Sequence, residues 1–210
     1  MKYNQQIIDC FRDIKTVADK HPGRLTDVLS CFNQNQYDCK TWLVDCLNQY
    51  PYHFKNKTQD SINIAIMGGW YGLMAKLLSD NFTVKPINEI TSYDFDPYAR
   101  TIGNIFFPHI NFQTKNVLEL DISQKNYSIV INTSCEHMLQ EDLYKSMATA
   151  PAKTLFVLQS NNYKQLQQHV NCVDSLDSFV EQYSDVLEKI RFYEKDMGKY
   201  TRYMLIGVKK

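Results

Sequence analysis

Glycine is scarce in this chain, with 7 in 210 residues. Charge of either sign is not in excess: Lys+Arg and Asp+Glu each total 23, and the formal net charge is zero. Chains that work by neutralising phosphates usually carry a basic excess, so bulk nucleic-acid binding is disfavoured, though a local patch stays open. Long apolar runs are missing, and no stretch nears the ~20 residues of a membrane span. The opening "MKYNQQIIDCFRDIK" carries polar and charged residues throughout its apolar pattern and does not read as a signal peptide. Paired cysteines are missing too. Cys10, Cys31, Cys39, Cys46, Cys135 and Cys172 form no C-x-x-C, and no Cys/His spacing matches a zinc site, so no metal is expected. Scattered thiols point to the reducing cytoplasm. No internal repeat or low-complexity segment interrupts the chain.

What remains is 44% hydrophobic, enough to build the core of one good-sized domain. Residues 1–58 read as helical. Ile7, Ile8, Phe11, Ile14 and Ala18 follow helical spacing until "HPG" at 21–23 stops the run. Leu25, Val28, Leu29 and Phe32 make a second short helix. Asp38 is placed to cap a third, with the stripe Cys39, Trp42, Leu43, Cys46 and Leu47, which Pro51 ends. A polar connector at 53–60 follows.

From Ile62 onward strand and helix alternate. Strands are expected at Ile62–Met67, Ile90–Tyr93, Ile110–Gln113, Ser128–Asn132 and Thr154–Gln159. Helices are expected at Tyr71–Leu78, Pro97–Phe106, Glu141–Ala148 and Leu176–Val186. "IRFYEKD" and "YTRYMLIGVKK", separated by Met197-Gly198, read as a terminal antiparallel pair. The expected fold is α/β: a Rossmann-like, doubly wound, mainly parallel sheet with an antiparallel C-terminal strand and an N-terminal helical extension.

In such a sheet, ligands bind beyond the carboxyl ends of the strands. Three of the seven glycines, Gly68, Gly69 and Gly72, follow the first strand directly, at a strand-to-helix turn where backbone can approach a ligand. Asp94 ends the second strand, 22 positions after Gly72 (94 − 72), where a carboxylate can accept hydrogen bonds from both hydroxyls of a ribose. Asp96, directly before Pro97, reads as a helix cap. "NTSCEHM" at 132–138 and "QSNNY" at 159–163 bring further polar residues to the same edge.

These stretches resemble the class I S-adenosylmethionine-dependent methyltransferases over roughly residues 59–210. "INIAIMGGWYG" is similar to that superfamily's first motif and "ITSYDFDPYARTIGN" to its second. "NFQTKNVLEL" resembles the third, "YSIVINTSCEHM" the fourth strand with its Glu-His loop, and "TLFVLQSNNY" and "YTRYMLIGVKK" the later strands. More narrowly, "GGWYG", "NTSCEH", "QSNNY" and "HVNCVDS" together resemble small stand-alone methyltransferase-like proteins of tailed bacteriophages. The resemblance implies S-adenosylmethionine as cofactor. Gly68, Gly69, Trp70 and Gly72 would meet its methionyl side, and Asp94 and Phe95 its ribose and base. Asn116 and Val117 would meet the adenine. Two positions depart from the pattern. Ile66 replaces the acid that often holds the cofactor's amino group, leaving Asn132 as a substitute partner, and Trp70 stands where a glycine is typical.

Methyl transfer from a sulfonium needs alignment more than acid–base help, and a base only where the acceptor atom carries a proton. Glu136, His137 and His169 are the residues offered for that role. A loop-ordering role for the Glu-His pair competes with it. Cys135 occupies the place of a C5-pyrimidine nucleophile but lacks the preceding proline, and the Asn/Asp-Pro-Pro-aromatic motif of exocyclic-amine DNA methyltransferases is absent. The expected activity is methyl transfer to an unidentified acceptor, a small molecule before a nucleic acid, with no membrane role and an open oligomeric state. Residues 1–58 would cover the acceptor on the domain at 59–210. Two other readings compete: a non-catalytic binding module on the same fold, and an NAD-dependent oxidoreductase.

Overall fold

A computed structural model describes residues 2–50 and 60–210. The stop at Pro51 and the polar connector, Asp60 apart, lie outside the described residues. The chain opens with α1 (Lys2–Lys20), α2 (Leu25–Cys31) and α3 (Gln34–Asn48). A 3-10 turn over Pro22–Arg24 redirects it between α1 and α2, since Pro22 cannot donate to a continuing helix. Asn33, not Asp38, caps α3: its side chain accepts from the Gln36 N–H at 2.9 Å. Asn and Asp are equally good caps, and the polar first turn Gln34-Asn35-Gln36 hides its helical period.

The alternating part then runs β1 (Ile62–Met67), α4 (Leu73–Asn81), β2 (Ile87–Asp94), α5 (Pro97–Phe106), β3 (Asn111–Thr114) and β4 (Ile129–Asn132). It continues through α6 (Gln140–Ala148), β5 (Leu155–Asn161), α7 (Leu176–Tyr183), β6 (Leu187–Asp196) and β7 (Thr201–Lys209). Asp96 does cap α5, accepting from the Tyr98 N–H. Two short 3-10 turns, rather than a helix, join β3 to β4. Among the described residues one sheet of seven strands forms, in the order β3-β2-β1-β4-β5-β7-β6. β1 to β5 are parallel, and β7 enters antiparallel between β5 and β6.

The two-residue period of the strands sorts their side chains between two cores. Ile62, Ile64, Ile66, Ile129, Ile131 and Val157 face one side. Ala65, Met67, Val130, Phe156 and Leu158 face the other, under α6 and α7. The N-terminal helices share the first of these clusters: Val17, Val28, Leu43 and Leu47 are buried there with Ile62 and Leu78. At ~1.5–3 kcal/mol for each fully buried aliphatic side chain, that shared cluster binds the helices to the sheet. No helix among the described residues is long and apolar enough to cross a membrane.

Candidate active site

β1 and β4 lie side by side at the sheet centre, and from there the chain runs outward in both directions. This switch point splays the loops after β1 and β4 apart and leaves a crevice at the carboxyl edge. The three glycines of the first loop turn out to serve different needs. Gly68 has φ +65°, and a side chain there would meet only the flexible end of Met138, at 3.3 Å. A Cβ on Gly69 would lie 2.0 Å from Ser92 Oγ. Gly72 has φ +93° and a Cβ would sit 2.5 Å from the Phe112 ring. Packing inside the protein therefore accounts for Gly69 and Gly72, and of the three only Gly68 has its demand set by backbone conformation with movable atoms opposite.

Trp70 occupies the left-handed region as well, at φ +48°, which costs a non-glycine residue ~1–2 kcal/mol. The turn therefore has a glycine-like backbone at a position occupied by tryptophan. Asp94 helps pin it. One carboxylate oxygen accepts the Trp70 N–H at 2.9 Å, and the other accepts the Asp96 N–H at 3.1 Å. Asp94 is half-buried, and burial pushes its pKa above the usual carboxylate value despite these bonds. The Phe95 N–H also acts on this carboxylate, which keeps lone-pair capacity for a ligand.

The other residues offered for the cofactor fare unequally. Phe95 is 78% exposed beside Asp94, a flat apolar face with nothing over it. The Asn116 side chain caps the next 3-10 turn, accepting from the Leu118 N–H and donating to Glu119. Val117 is buried in the second core. Asn132 is fully buried, its oxygen accepts the Ser134 N–H at 2.8 Å and its amide nitrogen contacts Met138 Sδ at 3.3 Å, so both ends are engaged within its own loop. Cys135 is buried and its thiol is pushed up to about 12 by that burial, which agrees with setting it aside as a nucleophile.

A cavity of about 100 Å³ lies against Gly68, Gly69 and Trp70. Its other walls come from Lys40 on α3, Glu136 and His137 after β4, and Arg202 on β7. Two of these side chains were not singled out from the sequence. Arg202 is buried and pairs with buried Glu136, Nη1 to Oε1 at 2.6 Å, and also donates to the Thr133 carbonyl. Burial opposes its charge, yet Glu136 holds the guanidinium pKa above normal. Asn161 donates to the same Oε1 at 2.6 Å, leaving Glu136 Oε2 buried with no partner among the described residues. Lys40 is also buried, and its ammonium donates to the neutral Gln36 side chain rather than to an acid. Burial lowers its pKa. A lone Arg directly before the apolar run "YMLIGV" was the available signal for Arg202. Lys40, next to the Cys39–Trp42 stripe, showed none.

His137 and His169, far apart in sequence, meet with ring centroids 4.6 Å apart. The segment after β5 folds back to bring them together, with Tyr163 and Cys172 beside His169. Protein atoms packed around the ring lower the His137 pKa by partial desolvation, although the residue keeps an exposed edge, and this favours the neutral ring. A larger depression of about 490 Å³ lies around Glu89 and His109, at the opposite edge of the sheet, away from the glycine turn.

Neither a family model nor a curated protein matches the chain. Solved structures do. The plantazolicin methyltransferase BpumL in complex with SAH aligns at TM-score 0.66 and 11% identity, over 100% of this chain and 99% of that one. The fold is that of the methyltransferases. The CurJ carbon methyltransferase aligns at TM-score 0.68 and 12% identity, over 92% of this chain and 60% of that one. The N-methyltransferase NodS from Bradyrhizobium japonicum WM9 aligns at 0.61 and 10%, over 85% and 98%.

Proposed function

We propose that this protein is an S-adenosylmethionine-dependent methyltransferase of a small-molecule acceptor. The observation that carries the reading is the convergence, at the β1/β4 switch point, of the Gly68 turn, the partly free carboxylate of Asp94 and the buried Lys40 ammonium. Gly68 and Trp70 would face the methionyl group, with Lys40 opposite its carboxylate. Asp94 would take the ribose, and Phe95, Asn116 and Val117 would border the adenine. Residues 1–58 would act as a cover over the domain at 59–210, since Cys31, Gln36 and Lys40 wall the cavity. Glu136, His137 and His169 would border the acceptor. Crystals of the structural neighbours with SAH support the choice of cofactor. The free cysteines are consistent with a cytoplasmic setting. The likeness to phage-borne proteins rests on the quoted motifs alone.

A non-catalytic binding role is the second reading, and cavity size favours it. About 100 Å³ falls below the ~300–1,000 Å³ of small-molecule sites. A cofactor would have to displace the Trp70 or Lys40 side chain on entry. Calorimetric titration with S-adenosylmethionine, S-adenosylhomocysteine and NAD tests the proposal. Binding of the first two without NAD is expected. Binding of NAD alone, or of none, refutes it. Binding with no transfer to any acceptor in a radiolabelled-methyl screen would favour the second reading.

A further inference from the structure

The side chains of Glu136, His137 and His169 each offer one ligating atom within 4.8 Å of the other two. Their hydrogen bonds settle which atoms are free. His137 Nδ1 lies 3.2 Å from the Gln168 carbonyl oxygen, and His169 Nδ1 lies 2.6 Å from that of Tyr163. A carbonyl can only accept, so each Nδ1 carries a proton and Nε2 is the ring nitrogen left for a metal. Backbone carbonyls on the far nitrogen are the usual outer support of metal-bound histidine, fixing tautomer and ring orientation. Glu136 is held in the same fashion. Arg202 and Asn161 both bond Oε1, and Oε2 is buried without a partner. An orphaned buried carboxylate oxygen costs stability unless something fills it.

We propose that Glu136, His137 and His169 bind one divalent transition-metal ion through Glu136 Oε2 and the two Nε2 atoms, leaving positions open to an oxygen- or nitrogen-bearing acceptor. Two imidazoles and one carboxylate suit zinc, cobalt, nickel or ferrous iron. Magnesium and calcium demand more oxygen ligands. Metal–nitrogen bonds of ~2.0–2.1 Å put neighbouring ligand atoms ~3.4 Å apart, so the three side chains must close slightly around the ion. His137 is exposed and His169 part-buried in the segment after β5, so closure asks small shifts of the two loops with the carbonyl bonds to both Nδ1 atoms kept. Arg202 adds positive charge nearby, but its pairing through Oε1 leaves the lone pairs of Oε2 free. Sequence spacing did not reveal the site because the β5–α7 segment, not a short motif, supplies the third ligand. The acceptor's place at the ion rests on the proposed methyl transfer, whereas the metal site itself rests on the side-chain geometry, and a test with metal alone separates failure of one from failure of the other.

Chelator-stripped full-length protein would be titrated with Co²⁺ and followed by visible d–d absorption. Uptake of one ion per chain, without a thiolate-to-cobalt charge-transfer band, is expected. His169→Gln and His137→Gln should each weaken Co²⁺ binding by roughly 100-fold, because loss of even an outer-shell partner typically costs ~10–100-fold. Circular dichroism would confirm that these two variants fold. Glu136→Gln is less suitable, because it strips buried Arg202 of its counter-charge. The proposal is overturned by no Co²⁺ uptake, or by uptake that both histidine variants retain. A thiolate band that disappears in Cys172→Ser would overturn it as well, since the metal would then sit on cysteine.

Discussion

Asp94→Ala removes a carboxylate that has two tasks, and the two can be separated. In the ligand-free protein its oxygens accept the Trp70 and Asp96 N–H groups at 2.9 and 3.1 Å. Hydrogen bonds to a charged group contribute ~1.5–3 kcal/mol each. Burying the charge costs more than these bonds return to the ionised form, which is why the Asp94 pKa lies above the usual value, but the alanine variant would leave the Trp70 and Asp96 N–H groups unpaired at ~1–3 kcal/mol each. The net loss should be about 2 kcal/mol. For a domain of this size ~2–4 °C accompanies each kcal/mol, so the ligand-free melting temperature should fall by roughly 4–8 °C. Trp70, held in the left-handed region, would relax first. Calorimetric titration with S-adenosylhomocysteine should show a further loss of roughly 1.5–3 kcal/mol in binding. Asp94→Asn keeps one acceptor and should fall between wild type and alanine in both measurements. An unmoved melting temperature would refute the turn-pinning role. Unchanged affinity would refute the ribose assignment.

The glycines should separate in the same way. Gly68→Ala, opposite only a movable methionine end, should cost ~1 kcal/mol in folding but lose most cofactor affinity. Gly69→Ala should destabilise by ~1–3 kcal/mol through its clash with Ser92, and Ser92→Ala in the same chain should restore much of the loss; a failure to rescue would rule out that clash. Lys40→Met should raise the ligand-free melting temperature by removing a desolvated charge, while weakening S-adenosylhomocysteine binding; a lower melting temperature or unchanged affinity would count against the carboxylate role. At the other edge of the sheet, bonds from the Thr91 hydroxyl, Asn111 and Lys125 hold the Glu89 pKa down to about 2. A depressed carboxylate pKa stabilises above the unfolded value of ~4.3 and loses that contribution as pH falls toward about 2. Glu89→Gln should therefore be less stable near pH 7, by no more than ~1 kcal/mol after solvent screening, and equal to wild type near pH 2; thermal melts across that range would show a constant gap if the reasoning fails.

By itself the sequence determined the alternation of elements and the edge where the polar loops gather. β1 at Ile62–Met67 and α5 at Pro97–Phe106 were legible to the residue, because a continuous apolar run and an Asp-Pro helix start are local signals. The Gly68 turn and Asp94 were legible because a fixed spacing joins them across one strand–helix–strand unit. What each residue does there was decided by contacts between distant segments. Gly69 is required by Ser92 and Gly72 by Phe112, neither of which any local pattern reveals. Asn132 looked available but is committed to its own loop. The charges around the cavity, Lys40, Glu136 and Arg202, come from α3, the β4 loop and β7, and His169 meets His137 only because the segment after β5 doubles back. Periodicity and capping act over a few residues. The burial that shifts a pKa, or leaves one carboxylate oxygen without a partner, exists only once the sheet order brings those segments together.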